Sequence, residues 1–203
     1  MEKYFLIFLG VLLFTTSCQD ESLLNQDVMF EENEMNLEPY VKAYNQYEAD
    51  EFNLLPALKS AESHKKTLTK TIVFKRSSGT LSIVVNPGYC GDFSPPLQMV
   101  IEGTGIATHL GKITVVNLAC VSMEGSIVSY VYGFITAACG SEIHTRMGTP
   151  YPDFDNLPNL YYPYTIIGGT GKYSGATGSI LMYGSTDLTT GLWSFIGEGS
   201  ISY

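Results

Sequence analysis

The chain has 203 residues, with 20 Asp and Glu against 11 Lys and Arg, giving a net charge of −9. That acid excess offers no basic surface to grip phosphates, which argues against nucleic-acid binding. The acids cluster: residues 19–66 carry 11 acids against 4 bases, and residues 67–203 carry 8 against 6. A near-neutral body thus follows an acidic stalk, and the length suits one domain plus an extension.

The chain opens with Lys3, an apolar run from Tyr4 to Phe14, and then Thr15-Thr16-Ser17-Cys18. This order reads as a secretory signal peptide over residues 1–17, too short in its apolar part to span a bilayer as a helix. The end of the run resembles the lipobox of bacterial lipoproteins, with Thr15-Thr16-Ser17 in place of the usual Leu-Ala-Gly type. The resemblance implies that Cys18 becomes the amino terminus and the site of lipid attachment. Several buried acyl chains, at roughly 0.8 kcal/mol per methylene, hold a protein where one chain does not. Gln19-Asp20-Glu21 resembles the acidic export signal of surface-displayed lipoproteins. The implied location is the bacterial outer membrane, lipid-anchored and facing the cell exterior. An ordinary cleavage near Ser17 that leaves Cys18 as a thiol is the alternative.

Residues 18–66 read as an acidic tether. Tyr40, Tyr44 and Tyr47 have helical spacing with Val41 alongside, and Pro39 suits a first helical turn. One short helix is expected over Pro39–Asp50, either solvated or docked on the domain that follows.

From Leu68 the pattern becomes short β-prone runs separated by glycine-rich turns. Strands are expected at Leu68–Arg76, Thr80–Val85, Leu97–Thr108, Lys112–Met123, Ser126–Ala138, Ser141–Met147, Tyr164–Ile167, Ser179–Ser185 and Leu192–Ser202. Ser77-Ser78-Gly79 and Asn86-Pro87-Gly88 read as turns, and Thr149–Pro163 as a loop. Most connections are too short for crossover helices, so the sheet is expected to be antiparallel. The fold class is all-β, with residues 67–203 forming a closed antiparallel barrel of about eight strands that folds without the stalk. A sandwich is the alternative.

Three segments carry a resemblance: Ile101-Glu102-Gly103-Thr104-Gly105-Ile106-Ala107-Thr108-His109-Leu110-Gly111-Lys112, Ile166-Ile167-Gly168-Gly169-Thr170-Gly171-Lys172-Tyr173-Ser174-Gly175-Ala176-Thr177-Gly178, and Gly197-Glu198-Gly199-Ser200-Ile201-Ser202. Together they resemble the allene oxide cyclase-like barrel domains, related in fold to dirigent proteins. The resemblance spans Leu97 to Tyr203. It implies a small eight-stranded barrel, and plant members bind or cyclise apolar lipid-derived or phenolic molecules inside it. No catalytic residue of those enzymes maps onto this chain. The second segment also contains Gly171-Lys172, but a phosphate loop would need glycine where Ile166 stands and Ser or Thr where Tyr173 stands.

Glu142, His144 and Arg146 alternate along one strand and share a face. They suit acid–base chemistry if they line a pocket. The simpler reading is a solvated outer face, with Ile143, Thr145 and Met147 turned inward. Glu102 and His109 lie at opposite ends of another strand, and His109 fits a turn position. Tyr130, Tyr132 and Phe134 share a strand face and are expected to fill the barrel interior. Tyr151, Phe154, Tyr161, Tyr162 and Tyr164 either rim a ligand-accepting mouth or form a lid. Metal-ligand spacing is absent, so neither a metal nor another cofactor is expected.

With Cys18 lipidated, Cys90, Cys120 and Cys139 remain, so one disulfide is the maximum and one thiol is left over. Strand register places Cys90 closer to Cys120 than to Cys139, and an oxidising compartment permits the bond. Three buried thiols are the alternative. Two functions follow. The first is a non-enzymatic surface lipoprotein whose barrel binds a small apolar molecule or a protein partner. The second is a cyclase- or isomerase-like enzyme acting on a lipid-derived or phenolic substrate.

Overall fold

The structure, a computed structural model, describes residues 38–51, 68–85, 90 and 97–203. The signal peptide, Cys18 and the Gln19-Asp20-Glu21 segment lie outside the described residues, as do the turn at Asn86 and the prolines at 95 and 96.

One helix, α1 (Glu38–Glu51), precedes nine strands. These are β1 (Thr69–Val85), β2 (Leu97–Ala107), β3 (Gly111–Val121), β4 (Val131–Thr136), β5 (Glu142–Met147), β6 (Tyr151–Pro152), β7 (Leu160–Gly169), β8 (Thr177–Thr186) and β9 (Leu192–Ser202). The sheet runs β5-β4-β3-β2-β1-β9-β8-β7-β6, and β5 also pairs with β7. That last pairing closes eight antiparallel strands into a barrel and leaves β6 outside as a short extension of β7. Closure removes the unpaired edges that an open sheet would present.

β1 departs from expectation. Ser77-Ser78-Gly79 was expected to turn, yet β1 runs through it unbroken. These residues pair with Gly105, Thr104 and Gly103 on one side and with Phe195, Ser194 and Trp193 on the other. Ladder bonds on both edges override the local turn preference, and the irregularity survives as a bulge between Phe74 and Ser77. β4 is shorter than the run from Ser126 suggested: only the Val121–Ile127 bridge pairs in its first part. β7 is longer, because residues expected in the loop before Tyr164 pair with β8.

Inward positions follow the period of two. Ile72, Phe74, Ile113, Ile135, Ile143, Ile166, Ile180 and Ile201 fill one end of the barrel, and Leu110 and Tyr173 cap it. Each such fully buried side chain contributes roughly 1.5–3 kcal/mol through apolar burial. Gly178 explains one glycine of the 166–178 segment. Its φ is +144°, and a Cβ there would overlap the Ser200 carbonyl, so only glycine lets β8 lie this close to β9.

The outer face of β2–β4 is unusually apolar, and α1 covers it. Val116, Leu118, Tyr132 and Phe134 are buried there, with Tyr40, Val41 and Ala43 packed against them. The rings of Tyr40 and Phe134 lie 5.3 Å apart. This corrects the expectation that Tyr132 and Phe134 fill the interior. Their neighbours Val131, Gly133 and Ile135 take the inward positions, and the aromatics face out beneath the helix. A strand with large residues on both faces does not disclose which face is the core.

Candidate functional site

Glu142, His144 and Arg146 do share the outer face of β5, with Ile143, Thr145 and Met147 inward. The face is not solvated at His144, which is 8% exposed. His144 Nε2 lies 3.2 Å from Glu142 Oε2, and its ring stands edge-on to Phe134 at 5.2 Å. Arg146 sits further along, its guanidinium 4.9 Å from the centre of the Tyr130 ring. Glu142 thus gives a polar partner to an imidazole wedged among aromatics, and Arg146 caps a different ring. His109 occupies the β2–β3 turn with φ 63°, and its carbonyl accepts a 3.4 Å hydrogen bond from the Tyr173 hydroxyl. Glu102 faces outward on β2, where partial burial raises its carboxyl above the usual range.

Cys90 and Cys120 are joined by a disulfide with a Cα–Cα distance of 5.6 Å. It ties the segment before β2 to the far end of β3. Cys139 was expected as the leftover thiol, but it is disulfide-bonded as well.

The second barrel end is built differently from the first. β9 and β7 line it with Trp193, Phe195 and Tyr162, while Tyr164 packs on the closed-end cluster. Trp193 is the only tryptophan in the chain. Its indole lies across the bare backbone of Gly103, where a Cβ would collide with the ring. The indole N–H donates to the carbonyls of Thr80 and Glu102, 3.2 Å from each. Trp193 stacks on Phe195 at 5.3 Å, and Phe195 meets Tyr162 edge-on at 5.0 Å. Ile101, Tyr162 and Phe195 point inward yet are only half-buried. Solvent therefore reaches part of this wall, beside a smaller buried cluster of Met99, Ala119, Val121 and Val131.

A few polar groups converge on the middle of the barrel. Ser77 donates to the Phe195 carbonyl at 3.0 Å, and Thr145 donates to the Gly133 carbonyl at 3.2 Å. Asn117 and Thr145 flank Gly133 so closely that a Cβ would strike Asn117 Oδ1. Burial raises the Tyr162 hydroxyl above its ordinary range, opposed by a hydrogen bond with Thr186. Burial, and then Tyr162 beside it, raises Tyr164 further. Both phenols stay protonated at neutral pH and serve as hydrogen-bond donors.

Of the loop aromatics, Tyr162 and Tyr164 face the lumen, while Tyr151 and Tyr161 stack on the outside at 5.1 Å. Phe154 is 82% exposed. Trp193 was not singled out from the sequence. A signal was present: glycines at alternate positions of β2 and β9 leave the inner surface bare, and a large ring two residues away fills such space. Among the described residues, no group of three or more His, Cys, Asp or Glu is placed to hold a metal ion.

The fold and site together define an eight-stranded antiparallel barrel with one closely packed end and one end whose inner wall is only partly buried. No family model and no curated protein matches the chain. Among solved structures it is similar to a pterocarpan synthase dirigent protein, with 13% sequence identity and a TM-score of 0.43, covering 72% of this chain and 98% of that one.

Proposed function

We propose that the protein is an exported envelope protein whose barrel binds a small, largely apolar molecule carrying a hydrogen-bonding group. The supporting observation is the half-buried inner wall of Ile101, Tyr162 and Phe195. Apolar lining with few convergent polar groups is the usual composition of a small-molecule site. Asn117, Thr145, Tyr162 and Tyr164 supply those groups. Neutral hydroxyls and an amide orient a ligand and leave its protons in place, so binding without turnover suits this lining better than acid–base catalysis.

Trp193 makes the lumen directly observable. Titration with N-phenyl-1-naphthylamine should quench Trp193 emission saturably and raise probe emission. A Tyr162→Ala variant should bind more weakly. Unchanged Trp193 emission at saturating probe contradicts the reading.

A lipid anchor at Cys18 is the alternative that the layout of residues 1–18 favours. It requires Cys139 to lack its bond, because Cys90 and Cys120 already pair with each other. On that alternative two outcomes are expected. Cys18→Ala should move the protein from the membrane fraction to the soluble fraction and abolish the lipid mass on the amino-terminal peptide. Recovery of the Cys18 peptide in disulfide linkage to another cysteine contradicts the anchor.

A further inference from the structure

The outer face of β7, β8 and β9 carries an array that the lumen does not use, and strand pairing sets its rows. Thr71, Ser200, Ser179 and Thr165 are successive partners across β1, β9, β8 and β7. Val73, Glu198, Leu181 and Pro163 form the next row in the same way. In the third row Tyr161 pairs with Tyr151 on one side and Tyr183 on the other. Their rings follow one another as a ladder, Tyr151 stacked on Tyr161 at 5.1 Å and Tyr161 tilted by 40° to Tyr183 at 4.8 Å.

A groove of about 600 Å³ crosses the first two rows, lined by Thr71, Pro163, Thr165, Ser179, Leu181 and Glu198. The ladder's edge is fixed by polar bonds. The Tyr183 hydroxyl donates to Asp153 Oδ2 at 2.8 Å, Asn156 Nδ2 donates to the same oxygen at 3.0 Å, and Asn159 Nδ2 donates to Tyr183 Oη at 3.2 Å. These bonds hold the rings in place, and Tyr151 remains 46% exposed.

A sugar ring has an apolar C–H face and a hydroxyl edge. An exposed aromatic face suits the first, and a row of hydroxyls beside a carboxylate suits the second. We propose that this outer face binds a neutral glycan chain, with one sugar on the Tyr151 end of the ladder and its neighbours along the groove over Glu198 and the hydroxyl row. The first and third rows are four residues apart along each strand, about 13 Å, which spans about two to three sugar units. The acidic charge of the chain and the exposed Glu198 disfavour an anionic glycan.

Affinity electrophoresis of the full-length protein tests this, using gels cast with soluble starch, xylan, laminarin or galactomannan. Retardation is expected in at least one gel. Tyr151→Ala and Ser179→Leu should each weaken that retardation about tenfold, the equivalent of one ring contact or one blocked subsite. The far-UV spectrum and the N-phenyl-1-naphthylamine titration of Trp193 should not change in either variant. Three results would overturn the proposal: mobility unchanged in all four gels, retardation that survives both substitutions, or a glycan that displaces the probe from the lumen.

Discussion

The two ends of the barrel use the same strands for opposite purposes. At one end Ile72, Ile113, Ile143 and Ile201 are at most 1% exposed, and Leu110 and Tyr173 close the layer. At the other, Met99, Ala119, Val121 and Val131 form a smaller buried cluster, Ile83 and Val85 on the end of β1 that runs past β9 are 49% and 71% exposed, and Trp193 lies flat on Gly103. The difference teaches how a barrel this narrow divides its interior. Branched aliphatic layers supply stability, while glycines beside aromatics keep space and offer polar edges. The loose end is reinforced from outside by the Cys90–Cys120 bond and by α1.

Core truncation breaks the comparison most directly. Ile143→Ala at the closed end should cost about 4 kcal/mol, because an enclosed site leaves a cavity that cannot collapse. Ile83→Ala at the open end should cost less than about 1 kcal/mol, since half of its side chain is already in water. Urea unfolding of the two variants measures both, and equal losses would erase the distinction between the ends.

The disulfide comes next. Cys90 and Cys120 are 30 residues apart in sequence, and replacing both with Ala should cost about 3 kcal/mol in the chain-entropy model. The loss should appear as a lower melting temperature, and an unchanged melting temperature would remove the outer clamp from the account.

A smaller effect should follow Gly103→Ala. The added Cβ overlaps the indole of Trp193 and the Ser78 carbonyl. Moving the ring should cost about 2 kcal/mol, shift Trp193 emission to the red and weaken probe binding. Emission identical to wild type would show that the indole does not rest there.

The smallest effect is confined to alkaline pH. Burial, and then Tyr203 beside it, pushes the Tyr173 hydroxyl up to about 12. The folded state therefore holds this proton more tightly than the unfolded state, whose tyrosines titrate near 10. The resulting stability is fully present below about pH 10 and is lost as pH rises toward 12. Tyr173→Phe should flatten that part of the stability profile, and a slope unaltered by the substitution would assign it to other groups.

Much of the barrel was legible in the sequence because its connections are short and its turns carry glycine. β9 has the bounds read from the chain, Leu192–Ser202, since Gly191 ends the preceding turn and Trp193, Phe195, Gly197, Gly199 and Ile201 alternate along one face. The continuity of β1 was not legible. Ser77-Ser78-Gly79 has turn chemistry, and only pairing on both edges makes it strand. The direction of Phe134 was hidden for a related reason: α1 makes the outer surface a second core, so both faces of β4 are buried. The Glu142, His144 and Arg146 alternation was visible, but the burial of His144 depends on aromatic neighbours that sequence spacing does not reveal. The lumen aromatics were partly visible as a tyrosine-rich stretch. Trp193 needed β2 and β9 to be seen together across β1.

The central claim, a barrel packed at one end and receptive at the other, is tested most directly by NMR contacts to bound N-phenyl-1-naphthylamine. The account predicts ligand contacts to the methyl groups of Ile101 and Met147 and to the Trp193 ring, with none to Ile72 or Ile143. Contacts at the closed end, or ligand seen only on the outer surface, would contradict it.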